Sequence, residues 1–467
     1  MLEHLEQQKK LTTNQWKIFA AATIGDMLDF FDYLLIGFIL AFIVKDWQLT
    51  YGQSAAILLS AGISAPFGSM FWGWVADRIG RRKVMILTVF NFSIPTGLAA
   101  LSPEHGWVFL AICRFFVGFG VTGLYTVDIA MVQEYVPASK RGLITGVTTT
   151  MLPAGLLLGA LLGKYLAAYI GWRGMFAVGL LPAGLSLLFR AWVPESPHWL
   201  LSKGRVEEAR RSLAWALMID PQRIDLPKTV EARPPQPWCE LFKYPRSLAV
   251  GCLTGLTQTG GVGFVLWQVT LFVMVLHVTP AEASGLVIWA SVGQIVGRFF
   301  CSWIADAMGR RASIALTCGI AGVTMSLAGY LHDVYLGGVS VFYLTVVVQQ
   351  FFGSGTYSII GPYMAEIWPS RLRTSGMGVV YGVGNLGKFI GPAGLALIAG
   401  SSNYVSPQAT LDVLIPAMNY FAVWSFIGLL GVLFFGIETR GRTIDEIDSA
   451  LTAEAPAAAP VNVPTAS

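Results

Sequence analysis

GSMFWGWVADRIGRR (68–82) and GRFFCSWIADAMGRR (297–311) align without a gap, 229 residues apart. Eight of the fifteen positions are identical: Gly68/Gly297, Phe71/Phe300, Trp74/Trp303, Ala76/Ala305, Asp77/Asp306, Gly80/Gly309, Arg81/Arg310 and Arg82/Arg311. Each copy starts in an apolar run and ends in a basic pair. A second match follows, in which Glu134–Pro137–Arg141 recurs as Glu366–Pro369–Arg373 at a separation of 232. Two copies in the same order, one in each half of a 467-residue chain, are the trace of a parallel duplication.

Outward from the repeat the chain is a series of apolar runs: 17–44, 53–75, 84–101, 107–135, 142–168 and 174–193, then 246–276, 282–305, 312–331, 338–367, 375–399 and 413–436. Each is near the roughly 20 residues that a membrane crossing needs. Hydrophobic residues make up 54% and charged residues 12%, and mean hydropathy is +0.61. That is about half the charge of a soluble protein, too little to cover a chain of this length with a water-facing surface. The expected fold is all-α and integral to the membrane, with twelve transmembrane helices in two six-helix halves related by a pseudo-two-fold axis. The divisions are an N-terminus (1–16), a first half (17–193), a central loop (194–245), a second half (246–437) and a tail (438–467), whose end is rich in Ala and Pro.

The loops set the orientation. Arg81, Arg82 and Lys83 follow span 2, Lys140 and Arg141 follow span 4, and Arg310 and Arg311 follow span 8. Arg371 and Arg373 follow span 10, Arg440 and Arg442 follow span 12, and the central loop holds Lys203, Arg205, Arg210, Arg211, Arg223, Lys228, Arg233 and Lys243. The opposite loops hold little beyond Lys45 and Arg173. By the positive-inside rule both termini are cytoplasmic, in the inner membrane if the cell is Gram-negative. The first apolar run is too long for the core of a cleaved signal peptide. The net charge of +4 lies in these short loops rather than on one polar face, which excludes a nucleic-acid partner. Cys113, Cys239, Cys252, Cys301 and Cys318 form no CxxC pair and imply neither a disulfide framework nor a zinc site.

GWVADRIGRRK (73–83) closely resembles the loop 2–3 signature of the major facilitator superfamily. PESPHWLLSKGR (194–205) and ETRGRTIDEID (438–448) resemble the sequences after spans 6 and 12 of sugar porters and their relatives. LDFFDYLLIG (28–37) resembles the span 1 signature of aromatic acid/proton symporters and of sialic acid and other metabolite/proton symporters. Phe30 stands where the aromatic-acid form, D-G-x-D, has Gly. The resemblance runs from about residue 17 to 448 and implies the major facilitator fold and solute transport. It also implies a charged cytoplasmic gate that latches the two halves and releases them. Its members are Asp77, Arg81, Glu134 and Arg141 in the first half and Asp306, Arg310, Glu366 and Arg373 in the second. Arg298, near the cytoplasmic end of span 8, joins the second latch.

Charges inside spans are the costly residues, at about 2.5–3.5 kcal/mol each on insertion scales. Span 1 holds Asp26, Asp29 and Asp32, spaced by three along one helix face. Asp29 and Asp32 fall near mid-depth. Two carboxylates a turn apart in low dielectric cannot both ionise cheaply, so this pair is the candidate proton carrier. Asp26 and Asp128 in span 4 receive no role from the pattern. Arg114 in span 4 reaches the depth of Asp32, and Lys388 lies close to the middle of span 11 with no acid in its own span. Both are candidates for attracting an anionic substrate. Around them, at similar depth, lie Gln258, Gln294, Gln349, Gln350, Tyr381 and Asn385, whose amides and hydroxyl suit carboxylate, hydroxyl or lactone oxygens. Trp267 and Tyr125 are candidates for stacking on a ring.

Two GxGxxG matches, at 118–123 and 382–387, lie inside apolar runs and read as helix packing rather than dinucleotide binding. Gly155, Gly159 and Gly163 form another packing face. P-loop, GxSxG and HExxH patterns are absent, and none of the five His lies in a span. The chain is therefore read as a transporter and not an enzyme, without metal or cofactor beyond the coupling proton. It is expected to act as a monomer. The expected activity is proton-coupled import of a small organic acid, an aromatic acid, lactone or similar carboxylate, by alternating access. The rival is a sugar, polyol or sugar-acid/proton symporter of the same superfamily. One charge moving down 100 mV supplies about 2.3 kcal/mol. A monoanion entering with one proton is electroneutral, so strong accumulation requires a second proton.

Overall fold

In the computed structural model the described residues are 8, 10–224, 226, 238–369 and 372–440, excluding the side chains of 124–126, 129, 130, 133, 138–146, 182, 183, 186, 188–191, 238, 239, 373 and 374. The first half consists of α1 (Thr13–Asp46), α2 (Tyr51–Ile79), α3 (Arg81–Ala99), α4 (Trp107–Glu134), α5 (Ala138–Tyr165) and α6 (Ala167–Ala191). Two short helices, α7 (Pro197–Ser202) and α8 (Val206–Leu217), lie in the central loop. The second half consists of α9 (Pro245–Gly255) and α10 (Thr257–Leu276), which make one broken span, then α11 (Pro280–Met308), α12 (Arg310–Tyr330), α13 (Val341–Glu366), α14 (Arg373–Ala399), the short α15 (Pro407–Asp412) and α16 (Leu414–Phe435). Among the described residues, eight spans are long and apolar enough to cross a bilayer on length and composition alone, and Trp107–Gly123 and Ala167–Leu181 are shorter apolar segments.

The helix starts are written locally. Thr12 with Gln15, Thr50 with Gln53 and Thr279 with Glu282 form reciprocal capping boxes at the starts of α1, α2 and α11, satisfying main-chain N–H groups that have no helical partner. Trp74 is 53% exposed and Trp303 65%, so the paired tryptophans of the repeat lie on the outer wall. Large apolar side chains exposed on several helices, such as Phe67, Met70, Trp289 and Phe434, suit an outer wall that faces lipid.

The repeat also explains packing inside each half. A Cβ on Gly68 would lie 2.3 Å from the Phe119 carbonyl oxygen, and one on Gly297 would lie 2.1 Å from that of Phe351. These two glycines let α2 approach α4, and α11 approach α13, backbone to backbone. Gly118 packs on Ala61 and Gly387 on Thr259 in the same way, so the GxGxxG stretches are helix seams.

The halves meet along α2 with α14, α5 with α11, and α1 with α10. The first two seams exchange under the internal symmetry. At the end opposite the basic loops the halves are joined by main-chain bonds: Tyr51 N–H donates to Asn403 O (2.9 Å), Gly52 N–H to Ser401 O (2.9 Å) and Val405 N–H to Leu49 O (3.1 Å). Tyr51 Oη and Thr410 Oγ1 share a hydrogen bond of 2.7 Å across the same junction.

Candidate functional site

Five spans of the second half and two of the first line a half-open cavity with room for about 80 Å³ of water-sized contents. Phe30 and Leu34 of α1 and Pro153 and Leu156 of α5 form its apolar side. The second half contributes Gln294 and Arg298 from α11 and Gln349, Gln350, Ser354 and Tyr357 from α13, alongside the apolar Val262, Val265 and Ala321. The amides are chained: Gln294 Nε2 donates to Gln350 Oε1, and Gln350 Nε2 donates to Gln268 Oε1 at 2.8 Å. Such a chain fixes which edge of each amide faces the space. Among the described lining residues, Arg298 carries the only charge at neutral pH. Its Nε donates to Ser354 Oγ at 2.9 Å and its Nη1 to the Thr149 carbonyl of α5.

The acids of α1 are distributed differently. One carboxylate oxygen from each of Asp26, Asp29 and Asp128 lies within 4.8 Å of the others, and all three residues are buried. Buried carboxylates this close repel one another, and a proton or a nearby positive charge offsets the repulsion. Asp32 is apart from this group. Its Oδ2 accepts a 2.8 Å hydrogen bond from Thr96. Arg114, 1% exposed, donates to the main-chain carbonyls of Asp32 (3.1 Å) and Tyr33 (2.6 Å), tying α4 to α1.

The basic end carries the duplicated motif in two matching copies. Arg81 pairs with Asp77 at 2.6 Å and with Glu134 at 3.6 Å, and Arg310 pairs with Asp306 at 2.9 Å and with Glu366 at 3.8 Å. Gly80 (φ 109°) and Gly309 (φ 94°) make the turns before α3 and α12. Into these turns come Glu195, which accepts from Arg81 N–H (2.9 Å) and Arg82 N–H (3.1 Å), and Glu438, which accepts from Arg310 N–H (3.0 Å) and Arg311 N–H (3.1 Å). Each carboxylate caps a helix N-terminus, where the exposed N–H groups and the helix dipole favour a negative charge. Ser196 donates to Glu134 and Thr439 to Glu366, completing the parallel.

The model of the family described as "Sugar (and other) transporter" matches residues 17–451. The chain belongs to this family. It is similar to the niacin transporter NiaP of Acinetobacter baylyi, 28% identical over 436 residues that cover 91% of this chain and 94% of that one. It is also similar to the cis,cis-muconate transport protein of the same organism, 24% identical over 403 residues that cover 85% and 91%. Among solved structures, the inward-open xylose transporter XylE from E. coli superposes with a TM-score of 0.69 at 20% identity, covering 93% of this chain and 99% of that one. The chain is thus a multi-pass membrane transporter of the major facilitator fold that moves small molecules, and it is not an enzyme.

Within the transporter the residues singled out from sequence fall into three groups. Gln294 and Gln350 line the cavity. Arg114, Gln258, Trp267, Tyr381, Asn385 and Lys388 are not among its lining residues. Trp267 is fully buried, its Nε1 donating to Pro392 O at 3.2 Å; it packs α10 on α14 and lies against the Tyr51 ring, with centroids 5.9 Å apart. Lys388 Nζ stands 5.6 Å over the Tyr33 ring at the α14–α1 contact. The side chains of Tyr125, Arg141 and Arg373 lie outside the described residues.

The structure bears on two of the gate expectations. Arg298 lies about 15 Å inside the end of α11 at Met308, where it lines the cavity. The gate ion pairs among the described residues run within each half, not across them, because Glu134 and Glu366 follow the same half's motif around the bundle. Thr96, Gln268, Ser354, Tyr357, Glu195 and Glu438 were not singled out. The two glutamates stood in view inside PESPHW and ETRGR, but their partners are main-chain N–H groups, which no sequence motif displays.

Proposed function

We propose that this transporter imports a small organic carboxylate together with protons by alternating access. The proposed setting is the cytoplasmic (inner) membrane, with both termini cytoplasmic and the single chain as the working unit. The observation that carries the anion reading is the Arg298 guanidinium on the cavity wall near the amides of Gln294, Gln349 and Gln350 and the hydroxyl of Ser354, the one charge among the described lining residues. A flat unsaturated or aromatic acid suits the space, its ring against Phe30, Leu34 and Leu156. The names of the relatives, a niacin transporter and a cis,cis-muconate transport protein, support the same class.

The proton is assigned to the carboxylate group of Asp29 with Asp26 and Asp128, where the mutual repulsion of three buried acids favours protonation of one. Asp32, tied to Thr96 and packed beside Arg114, is a less direct carrier. The duplicated charge clusters at the basic end, with Asp77, Arg81, Asp306 and Arg310 at their centres, act as the gate hardware of each half. A sugar or polyol remains the rival cargo, because the Gln268–Gln350–Gln294 chain also suits hydroxyls. The test is uptake into proteoliposomes under an imposed pH gradient, with nicotinate, benzoate, cis,cis-muconate, glucose and xylose as candidate cargo. Acid uptake that collapses with a protonophore supports the reading. Uptake of hexose or xylose alone, or acid uptake driven only by a sodium gradient, overturns it.

A further inference from the structure

Pro153 lies inside α5. Proline has no N–H, so the carbonyl four residues earlier, that of Thr149, loses its helical donor. The replacement comes from the other half of the molecule: Arg298 of α11 donates Nη1 to the Thr149 carbonyl while its Nε holds Ser354 of α13 at 2.9 Å. The Arg298 main chain is fixed in turn, its carbonyl accepting from Ser358 Oγ at 2.9 Å. This guanidinium is therefore both a bond between the halves at mid-membrane and the one charge on the cavity wall among the described lining residues. Pro153 itself lines the same cavity.

We infer that a substrate carboxylate and the Thr149 carbonyl compete for Arg298, so that filling the cavity unties α5 from α11. A carboxylate forms two parallel charge-assisted bonds with a guanidinium edge and is a stronger acceptor than a neutral carbonyl. Its arrival draws Nη1 away from Thr149, and the α5–α11 seam loses its tether at that depth. The carbonyl, which faces a proline four residues on, is then satisfied by water entering the parted seam. Linkage makes the effect reciprocal: parting α5 from α11 presents Arg298 for the acid, and acid binding favours the parted state. A neutral cargo of the same shape lacks this lever, which gives the seam its selectivity for charge.

The inference rests on the organic-acid reading and is tested so that the two fail separately. Binding of nicotinate and of nicotinamide, its neutral isostere, is measured on the purified full-length transporter, with exchange of nicotinate followed in proteoliposomes. Wild type is expected to prefer the acid. Arg298→Gln is expected to lose about 30-fold or more in acid affinity with little change for the amide. Pro153→Ala restores a helical N–H to Thr149 and removes the competitor, so acid affinity rises several-fold while exchange slows. Arg298→Lys, a variant that leaves α5 untouched, is expected to keep a reduced acid preference, because its ammonium lacks the fork. An acid preference that persists unchanged in Arg298→Gln overturns the competition, as does weaker or unchanged acid binding in Pro153→Ala. Should Pro153→Ala not fold, Arg298→Lys with wild-type acid affinity overturns it instead. A wild type without any acid preference refutes the organic-acid reading itself.

Discussion

Substituting Gly80 by alanine tests the duplicated turn quantitatively. Gly80 has φ 109° and ψ 153°, a region open essentially to glycine, where any other residue costs on the order of 1–3 kcal/mol. A Cβ there would also stand 2.3 Å from Glu195 Oε2, forcing the carboxylate off the α3 N-terminus. That adds the loss of charge-assisted bonds to Arg81 and Arg82 N–H, each about 1.5–3 kcal/mol. Gly80→Ala should therefore destabilise by about 4–9 kcal/mol in total if both bonds are lost. Two other glycines separate the contributions. Gly171 has φ 65° but nothing within 4 Å of an added Cβ, and Gly73, inside α2, also has nothing within 4 Å. Gly171→Ala should show only the backbone cost, and Gly73→Ala should be neutral or slightly stabilising, since alanine favours helix. Thermal aggregation in detergent, followed by fluorescence-detected size exclusion, gives the rank order. Combining Gly80→Ala with Glu195→Gln should cost less than the sum of the two, because the carboxylate has already been displaced. Equal losses for Gly80→Ala and Gly171→Ala, or strict additivity with Glu195→Gln, would refute the capping argument. Gly309 and Glu438 repeat the geometry in the second half, so Gly309→Ala should behave like Gly80→Ala.

Three further outcomes follow from the packing. Arg114→Leu removes the donor to the Asp32 and Tyr33 carbonyls and leaves Asp32 buried without its neighbouring cation, costing about 3–5 kcal/mol; adding Asp32→Asn should recover part of that loss in the same melting assay. Tyr51→Phe deletes the 2.7 Å bond to Thr410 and should shift the population toward the state open at that end by up to about 10-fold, read as faster alkylation of a cysteine introduced at Leu49. Gln350→Leu breaks the chain from Gln294 to Gln268 and should weaken binding of every accepted cargo by about 1–3 kcal/mol, with no change in the acid-to-amide ratio that Arg298 governs.

The fold was legible because bilayer physics leaves few options: long apolar runs, basic loops on one side and a repeat with conserved spacing force a two-half bundle. Local chemistry was legible where both partners sit in one motif, as with Asp77 and Arg81. The site was only half legible. Spacing placed Asp29 and Asp32 on one face of α1, but the acid that joins Asp29 and Asp26 comes from α4, and helix rotation against a neighbour is not written in one segment. Arg298 read as a gate residue because it lies toward the cytoplasmic end of span 8; its place on the cavity wall depends on how α11 packs against α5 and α13. Lys388 was attractive as an isolated charge, yet α14 turns it to Tyr33.

The most direct test of proton coupling compares Asp29→Asn and Asp32→Asn in proteoliposomes loaded with a carboxylate that wild type transports. Counterflow exchange at equal pH is measured beside accumulation under a pH gradient. With the proton on the Asp26–Asp29–Asp128 group, Asp29→Asn keeps exchange and loses accumulation, while Asp32→Asn keeps both. Gradient-driven accumulation surviving in Asp29→Asn would contradict it.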